Sequence, residues 1–403
     1  MKKQGKLVIT KIENYIFSML YDNNNNIMQI NVDGNEESIL GNVYIGRVTN
    51  IVKNINAAFI EFQKGMTGYY SLDTFDNPVY VNVKREPGPM RVGDLVIVQV
   101  IKESSGNKYP VLTTNINFVG KNVVFTLKSF GIHFSNKLKW PELIEAITAR
   151  YNKLNYTDFG FIIRTNAYHA DVNDIFDEIE LFVKLWLIIK DVAVTRNALS
   201  ILYKAPKSYI ASIRDGYHDE VGQIITDDKL IYNEIQAYLE AYQFSDLNKL
   251  KFYDNSVTSL QTLYNVRRDI AGALSEKVWL KSGGYIVIEP TEALISIDVN
   301  SGKYVSGKDS QKEFLKINME AAKEIAHQIR LRNLSGIIIV DFINMKDKEN
   351  QAQLISYFQD LISADPIKTS LIEMTKLNLV ELTRKKGRLS LHQIIVKNFL
   401  QFL

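Results

Sequence analysis

The chain has 403 residues, with 48 lysines and arginines against 45 aspartates and glutamates and a formal net charge of +3, too mild to identify a partner by itself. Hydrophobic residues make up 46% and charged residues 23%, ordinary proportions for a soluble globular protein, and the length allows about two or three domains. The absence of cysteine excludes disulfides and thiolate metal sites, and the five scattered histidines (His133, His169, His218, His327, His392) give zinc catalysis no support.

The basic N-terminus, residues 1–6, leads into a short β-like run with no small-residue cleavage site. No signal peptide is expected, and the chain reads as cytoplasmic. Residues 6–33 alternate in short apolar runs around the turn Asp22-Asn23-Asn24-Asn25-Asn26, the pattern of β-hairpins. Residues 41–114 carry several short strands at regular spacing, which predicts a small barrel. Phe59 and Tyr69, with lysines nearby, fit an oligonucleotide-binding surface, although such aromatics alone more often belong to a core.

From 118 to 204 the pattern predicts a strand at 123–127, a helix near 141–151, a strand at 160–165 and a helix over 171–191. Asp171, Asp174, Asp177 and Glu178 load the start of that last helix with negative charge, as its dipole favours. The longest apolar stretch, 181–189, is interrupted by Lys184 and is too short to span a bilayer. Arg164 and Thr165 end a strand; a guanidinium beside a hydroxyl can receive a terminal phosphate, though a surface arginine there is common. Residues 205–275 are mixed, with a helix at about 227–242. Two basic clusters, Lys84-Arg85-Lys102-Lys108-Lys121-Lys128 and Arg384-Lys385-Lys386-Arg388, read residue by residue as solvated surface. Residues 390–403 are helical by pattern.

The most informative feature lies between 281 and 389. Asp298 closes the run Ala293-Leu294-Ile295-Ser296-Ile297, and Asp341 closes Ile337-Ile338-Ile339-Val340. A helix over 309–333 joins them, with Gly336 expected just past its end. A strand–helix–strand crossover makes the strands parallel and sets both carboxylates on one sheet edge. There they repel unless a cation intervenes, and Mg²⁺ suits such oxygen ligands. Asn300, Ser301 and Gly302 follow Asp298 and offer an amide and backbone N–H groups to a phosphate. Asn318 and Glu324 on the helix either reach this site or are solvated.

A competing pattern overlaps it. Gly302-Lys303-Tyr304-Val305-Ser306-Gly307-Lys308 matches the phosphate loop of nucleotide hydrolases. Asp309 stands where that loop needs a hydroxyl for Mg²⁺, so this is the weaker alternative.

Ser296 to Gly302, then Asn318-Met319-Glu320-Ala321-Ala322-Lys323-Glu324-Ile325-Ala326, then Ile339-Val340-Asp341-Phe342, then Glu381-Leu382-Thr383-Arg384-Lys385-Lys386 resemble the ribonuclease E/G family in that order. Lys281-Ser282-Gly283-Gly284-Tyr285 and Gly106-Asn107-Lys108 resemble further motifs of that family. The resemblance covers nearly the whole chain. It implies a multi-subdomain α/β fold: a ribonuclease-H-like subdomain from 1–35 and 205–275, an inserted OB-type RNA-binding barrel at 36–117, a 5′-sensor at 118–204, a DNase-I-like catalytic subdomain at 276–389 and a helical tail at 390–403.

The same resemblance implies an endoribonuclease, specific for single strands and dependent on Mg²⁺ (with Mn²⁺ as the alternative ion). It would act on ribosomal RNA precursors and messenger RNA in processing and decay, leaving 5′-phosphate and 3′-hydroxyl ends. Asp298 and Asp341 look like the magnesium ligands and Asn300 like the residue that orients the scissile phosphate. Arg164 and Thr165, with Gly120 and Val124, resemble the pocket for an RNA 5′-monophosphate, and Phe59, Tyr69 and Lys108 fall where the barrel contacts RNA. The departures are informative. The family's cysteine zinc-link has no counterpart, so no zinc is expected and any homodimer would form without a zinc bridge. Asn344 stands where relatives commonly have aspartate, and Asn136 lies near the place of a basic sensor residue. The larger members' long C-terminal scaffold is also missing, which points to the shorter ribonuclease G type. A non-catalytic RNA-binding protein of the same fold is the second alternative.

Overall fold

The computed structural model describes residues 5–34, 38–73, 78–81, 88–104, 108–215, 221–302, 310–386 and 390–399. The chain divides into two compact units, one comprising Glu36–His218 and Ile235–Leu247, the other Met1–Asn35, Asp219–Glu234 and Asn248–Leu403.

The first unit contains the expected barrel. Its strands follow the order Val43–Val52, Ala57–Gln63, Met66–Ser71, Val111–Thr113, Leu95–Lys102, and the last pairs back onto the first. Closure removes the free edges that an open sheet would present, and this five-stranded barrel is compatible with the OB type. Alternation fills the interior with Val48, Ile60, Phe62, Val98, Val100 and Leu112. A side chain at Gly68 would meet Leu112 at 2.5 Å, so glycine there lets the barrel close on its own core.

A second sheet in this unit runs Gly131–Phe134, Gly160–Ile163, Val123–Thr126, Asn117–Val119. Helices Pro141–Tyr151 and Val172–Thr195 contribute Leu143, Ile147, Phe176, Phe182 and Trp186 to a core shared with Phe118, Phe125 and Phe161. Asp171 caps the longer helix, accepting from the Asn173 N–H at 2.7 Å. Glu178, read as one of the acids that load the helix start, is buried inside this unit. Lys121 is buried as well; its ammonium meets Asp246 at 2.5 Å, so it is no part of a solvated basic cluster.

The second unit holds two more sheets. In the first, Gly5–Ile12, Tyr15–Tyr21 and Ile27–Asp33 form the expected antiparallel hairpins, and Val221–Thr226 and Leu250–Phe252 extend them in parallel. The tail helix Leu391–Phe399 buries Leu391 and Ile395 in the core beneath this sheet.

The other sheet has the order Lys277–Trp279, Tyr285–Pro290, Ile295–Asn300, Gly336–Asp341, Leu379–Arg384, Thr369–Met374. Helix Ser310–Leu331 crosses over between Ile295–Asn300 and Gly336–Asp341, which pair in parallel as expected. With helix Lys348–Ser363 it packs Ile317, Ala321, Ile325, Leu354 and Phe358 onto Ile297, Val299, Ile338, Val340 and Leu382. One sheet face is therefore core.

The helix stop differs from expectation. Asn333, not Gly336, takes the left-handed conformation after the last turn (φ 52°), and the Leu334 N–H reaches back to the Ile329 carbonyl at 3.0 Å, an arrangement that closes helices. Gly336 (φ 95°) opens the strand that follows. Arg384 also departs from its reading as a solvated cation. It is buried, holds Asp365 with Nε and Nη2 at 2.7 and 3.3 Å, and donates from Nη1 to the Asn333 side chain and the Leu334 carbonyl. Asp365→Ala would leave that guanidinium buried without its counter-charge. The expected cost is about 3–5 kcal/mol, read as a lower urea midpoint; an unchanged midpoint would show that the pair is not coupled to folding.

Candidate active site

Along Ile295–Asn300 and Gly336–Asp341, Ile295, Ile297, Val299, Ile338 and Val340 turn into the helix-covered core. Their alternates, Ser296, Asp298, Asn300, Ile339 and Asp341, therefore share the opposite, open face. Asp298 and Asp341 are direct cross-strand partners, and both are exposed. The Asn300 amide donates to Asp298 Oδ2 at 2.5 Å. Desolvation, reinforced by the neighbouring Asp298 charge, holds the Asp341 carboxyl above the ordinary range. Two carboxylates on adjacent parallel strands, one of them held toward protonation by desolvation and its neighbour's charge, fit a hard divalent ion. Mg²⁺ needs only one or two carboxylates, because it retains several waters. Among the described residues, no group of three or more histidine, cysteine, aspartate or glutamate side chains comes together.

The surroundings fix these groups. Glu320 on the crossover helix accepts the backbone N–H groups of Lys281 and Ser282 at 2.6 and 3.2 Å and so holds the turn before Tyr285. Gly284 and Gly302 allow that turn to lie against the end of the Asp298 strand: a Cβ at Gly302, which has φ 68°, would fall 2.4 Å from the Gly283 carbonyl. Asn318, buried on the same helix, donates to the Ile343 carbonyl at 2.8 Å and accepts its N–H at 3.0 Å. It clamps the backbone just beyond Asp341 rather than reaching the carboxylates. Glu324 accepts from Gln328 at 2.7 Å, and Asn344 accepts from Asn378 at 2.8 Å. Residues 303–308 of the phosphate-loop pattern lie outside the described residues, as do Lys84, Arg85, Gly106, Asn107 and Arg388.

On the barrel, Phe59 and Tyr69 are paired across strands with ring centroids 6.3 Å apart. Both are half-buried, and Lys108 is exposed. The sequence reading missed Tyr109, which is 55% exposed with its ring 5.3 Å from that of Phe59; its only sequence signal is adjacency to Lys108.

Of the four expected sensor residues only Val124 lies within a strand of the second sheet of this unit; Gly120 follows the strand Asn117–Val119, and Arg164 and Thr165 follow the strand Gly160–Ile163. Val124 pairs with both Val119 and Ile162. Arg164 donates from Nη1 to the Gly120 carbonyl and from Nη2 to Asp215 at 2.9 Å, while Thr165 is exposed with its hydroxyl 3.0 Å from that of Ser135. Asn136 is exposed. Two acids that the sequence did not connect with this region adjoin it. Asp215 takes one arm of Arg164 and two nitrogens of Arg214. Glu178 accepts the N–H groups of Lys121 and Asn122 at 2.6 and 2.9 Å, directly against Gly120. Burial pushes the Glu178 carboxyl up to about 7 even though those donors favour its charge.

A model of the ribonuclease E/G family matches residues 117–387. Ribonuclease E of Synechocystis is 34% identical over 361 residues, 88% of this chain and 53% of that protein. Ribonuclease G of Haemophilus influenzae is 31% identical over 369 residues, 89% of this chain and 75% of that protein; ribonuclease G of Escherichia coli K12 is 29% identical over the same length. The chain thus spans about half the length of the ribonuclease E and three quarters of the ribonucleases G.

The buried glutamate sets a pH dependence. Folding raises the Glu178 pKa, so the native state holds a proton that the unfolded chain has lost. Stability should therefore fall as pH rises from the ordinary value near 4.5 to about 7, by about 3 kcal/mol from this group alone. Urea unfolding at pH 5 and pH 8 should show this difference in the wild type and a flatter profile in Glu178→Gln; identical profiles would remove Glu178 as its source.

Proposed function

The chain belongs to the ribonuclease E/G family, and we propose that it is a Mg²⁺-dependent endoribonuclease that cuts single-stranded RNA during processing and decay. The observation that carries this reading is the direct parallel pairing of Asp298 with Asp341 on the open sheet face, beside Asn300. Those carboxylates would hold the ion, Mg²⁺ or Mn²⁺. When bound there, it would lower the pKa of a water and polarise the phosphodiester, for cleavage to a 5′-phosphate and a 3′-hydroxyl. Asn300, kept in place through Asp298, would turn its amide to a phosphate oxygen.

Phe59 and Tyr69 would stack unpaired bases while Lys108 meets phosphate. The pocket of Arg164, Thr165, Gly120 and Val124 would take an RNA 5′-monophosphate. There Asp215 already occupies part of the guanidinium fork, so a phosphate must compete with a carboxylate, and the 5′-end preference should be modest. Ribosomal RNA precursors and messenger RNA are the substrates this reading names, with a cytoplasmic location. Within the second unit we assign the sheet of hairpins to a ribonuclease-H-like subdomain and the carboxylate-bearing sheet to a DNase-I-like one. A homodimer would be held by contacts other than a zinc bridge, as the chain has no cysteine.

Matched 5′-monophosphorylated and 5′-hydroxyl single-stranded RNAs, incubated with Mg²⁺ and then with EDTA, test the activity. Cleavage should require the ion. Asp298→Asn and Asp341→Asn should each cut kcat by at least about 100-fold while leaving RNA affinity near wild type. Full activity in either variant would end the metal assignment, and RNA binding without cleavage by the wild type would favour the non-catalytic alternative. Arg164→Ala should abolish whatever preference exists for the 5′-monophosphate.

A further inference from the structure

We propose that Lys277, Trp279 and Tyr285 form a stacking subsite for one unpaired base next to the scissile phosphate. The inference rests on the nuclease reading above and assigns a role to residues outside the carboxylate pair.

The sheet register carries the argument. Trp279 pairs with Tyr285, and Tyr285 pairs with Asn300. One row over, Lys277 pairs with Val287, Val287 with Asp298 and Asp298 with Asp341. Directly paired residues project to the same side of a sheet. Trp279 and Lys277 therefore stand on the open face that carries Asp298 and Asn300, in the two adjacent rows that hold them. With strands about 4.8 Å apart, Trp279 lies two spacings, about 10 Å, from Asn300, a distance that a nucleotide beside the cleaved bond can bridge.

The alternative, that Trp279 is a core residue, fails. Val278, Ile286 and Ile288 of these two strands, and Leu280 just after the first, pack into the core, whereas Trp279 is 65% exposed. Its ring meets that of Tyr285 edge-on at 5.3 Å and carries the Lys277 ammonium over it, yet most of the side chain stays exposed to a ligand. The Lys277 ammonium lies 4.1 Å from the indole centroid and 3.5 Å from the Tyr285 centroid. A flat apolar face with a fixed cation beside it matches a nucleotide, whose base stacks while its phosphate meets the charge. Continuity with the carboxylate rows selects RNA over a protein partner.

The test uses short single-stranded RNAs with one abasic ribose at successive positions around a mapped cleavage site. Trp279→Ala should lower kcat/KM about 5- to 150-fold, the range that one stacked base supplies, mostly through KM. Trp279→Phe should recover most of it. At one position the abasic substrate should cost the wild type a similar factor and Trp279→Ala almost nothing more. The variant should melt at the wild-type temperature, since the side chain is exposed. In an Asp298→Asn background, where RNA stays uncut, Trp279→Ala should weaken Kd by a comparable factor; this arm reads the subsite even if the wild type cleaves nothing. Unchanged kcat/KM and Kd in Trp279→Ala, or equal abasic penalties in both proteins, would overturn the subsite and leave the nuclease reading untouched.

Discussion

Two like charges are held side by side by hydrophobic burial. Asp298 and Asp341 would separate if their strands were free, since like charges repel; burial and the Asp298 charge together hold the Asp341 carboxyl above its ordinary range. What keeps them paired is the set of residues that alternate with them: Ile297, Val299, Ile338 and Val340, sealed beneath the crossover helix. A slip of one residue in either strand would turn its aspartate into the core and its isoleucines or valines out to water, a change the core resists strongly. Register is thus the constraint on which the site depends, and it is set by apolar packing on the face away from the chemistry.

Polar residues on the crossover helix refine that arrangement. Glu320 ties down the turn that leads into Tyr285, and Asn318 fixes the chain just after Asp341. Both act on backbone rather than on the carboxylates. Gly284 and Gly302 serve the same end by leaving no side chain where the turn meets the strand. The helix therefore buries one face of the sheet and also holds the loops that border the other.

Much of this was legible in the sequence, and the reasons are specific. Apolar β-forming runs ending in Asp298 and Asp341, with a long 3.6-period segment between them, define a parallel crossover, and the helix falls within two residues of expectation. The barrel was legible from short strands at regular spacing. Buried charges were not. Arg384 and Lys121 read as surface cations because their partners, Asp365 and Asp246, lie 19 and 125 residues away in the chain. Glu178 read as a helix-dipole acid because nothing local says that its side chain turns toward the Lys121 and Asn122 amides. The helix stop went to Asn333 rather than Gly336 because Asn also tolerates the left-handed region, and Arg384 fastens it there. Trp279 gave no signal at all: a lone aromatic in a short run reads as core until the register puts it on the open face.

Each unit carries its own cluster of aromatic rings with one exposed member: Tyr109, next in the chain to Lys108, against half-buried Phe59 and Tyr69 in one, and Trp279 with Tyr285 and Lys277 in the other. Rings recognise the faces of bases, not their hydrogen-bonding edges, so such surfaces tolerate many sequences. They are also closed to a duplex, where both faces of every interior base are already stacked on neighbours. A preference for single strands then needs no residue that repels helices. On the proposed function it would follow from placing flat apolar rings, rather than donors aimed into a groove, along the path of the RNA.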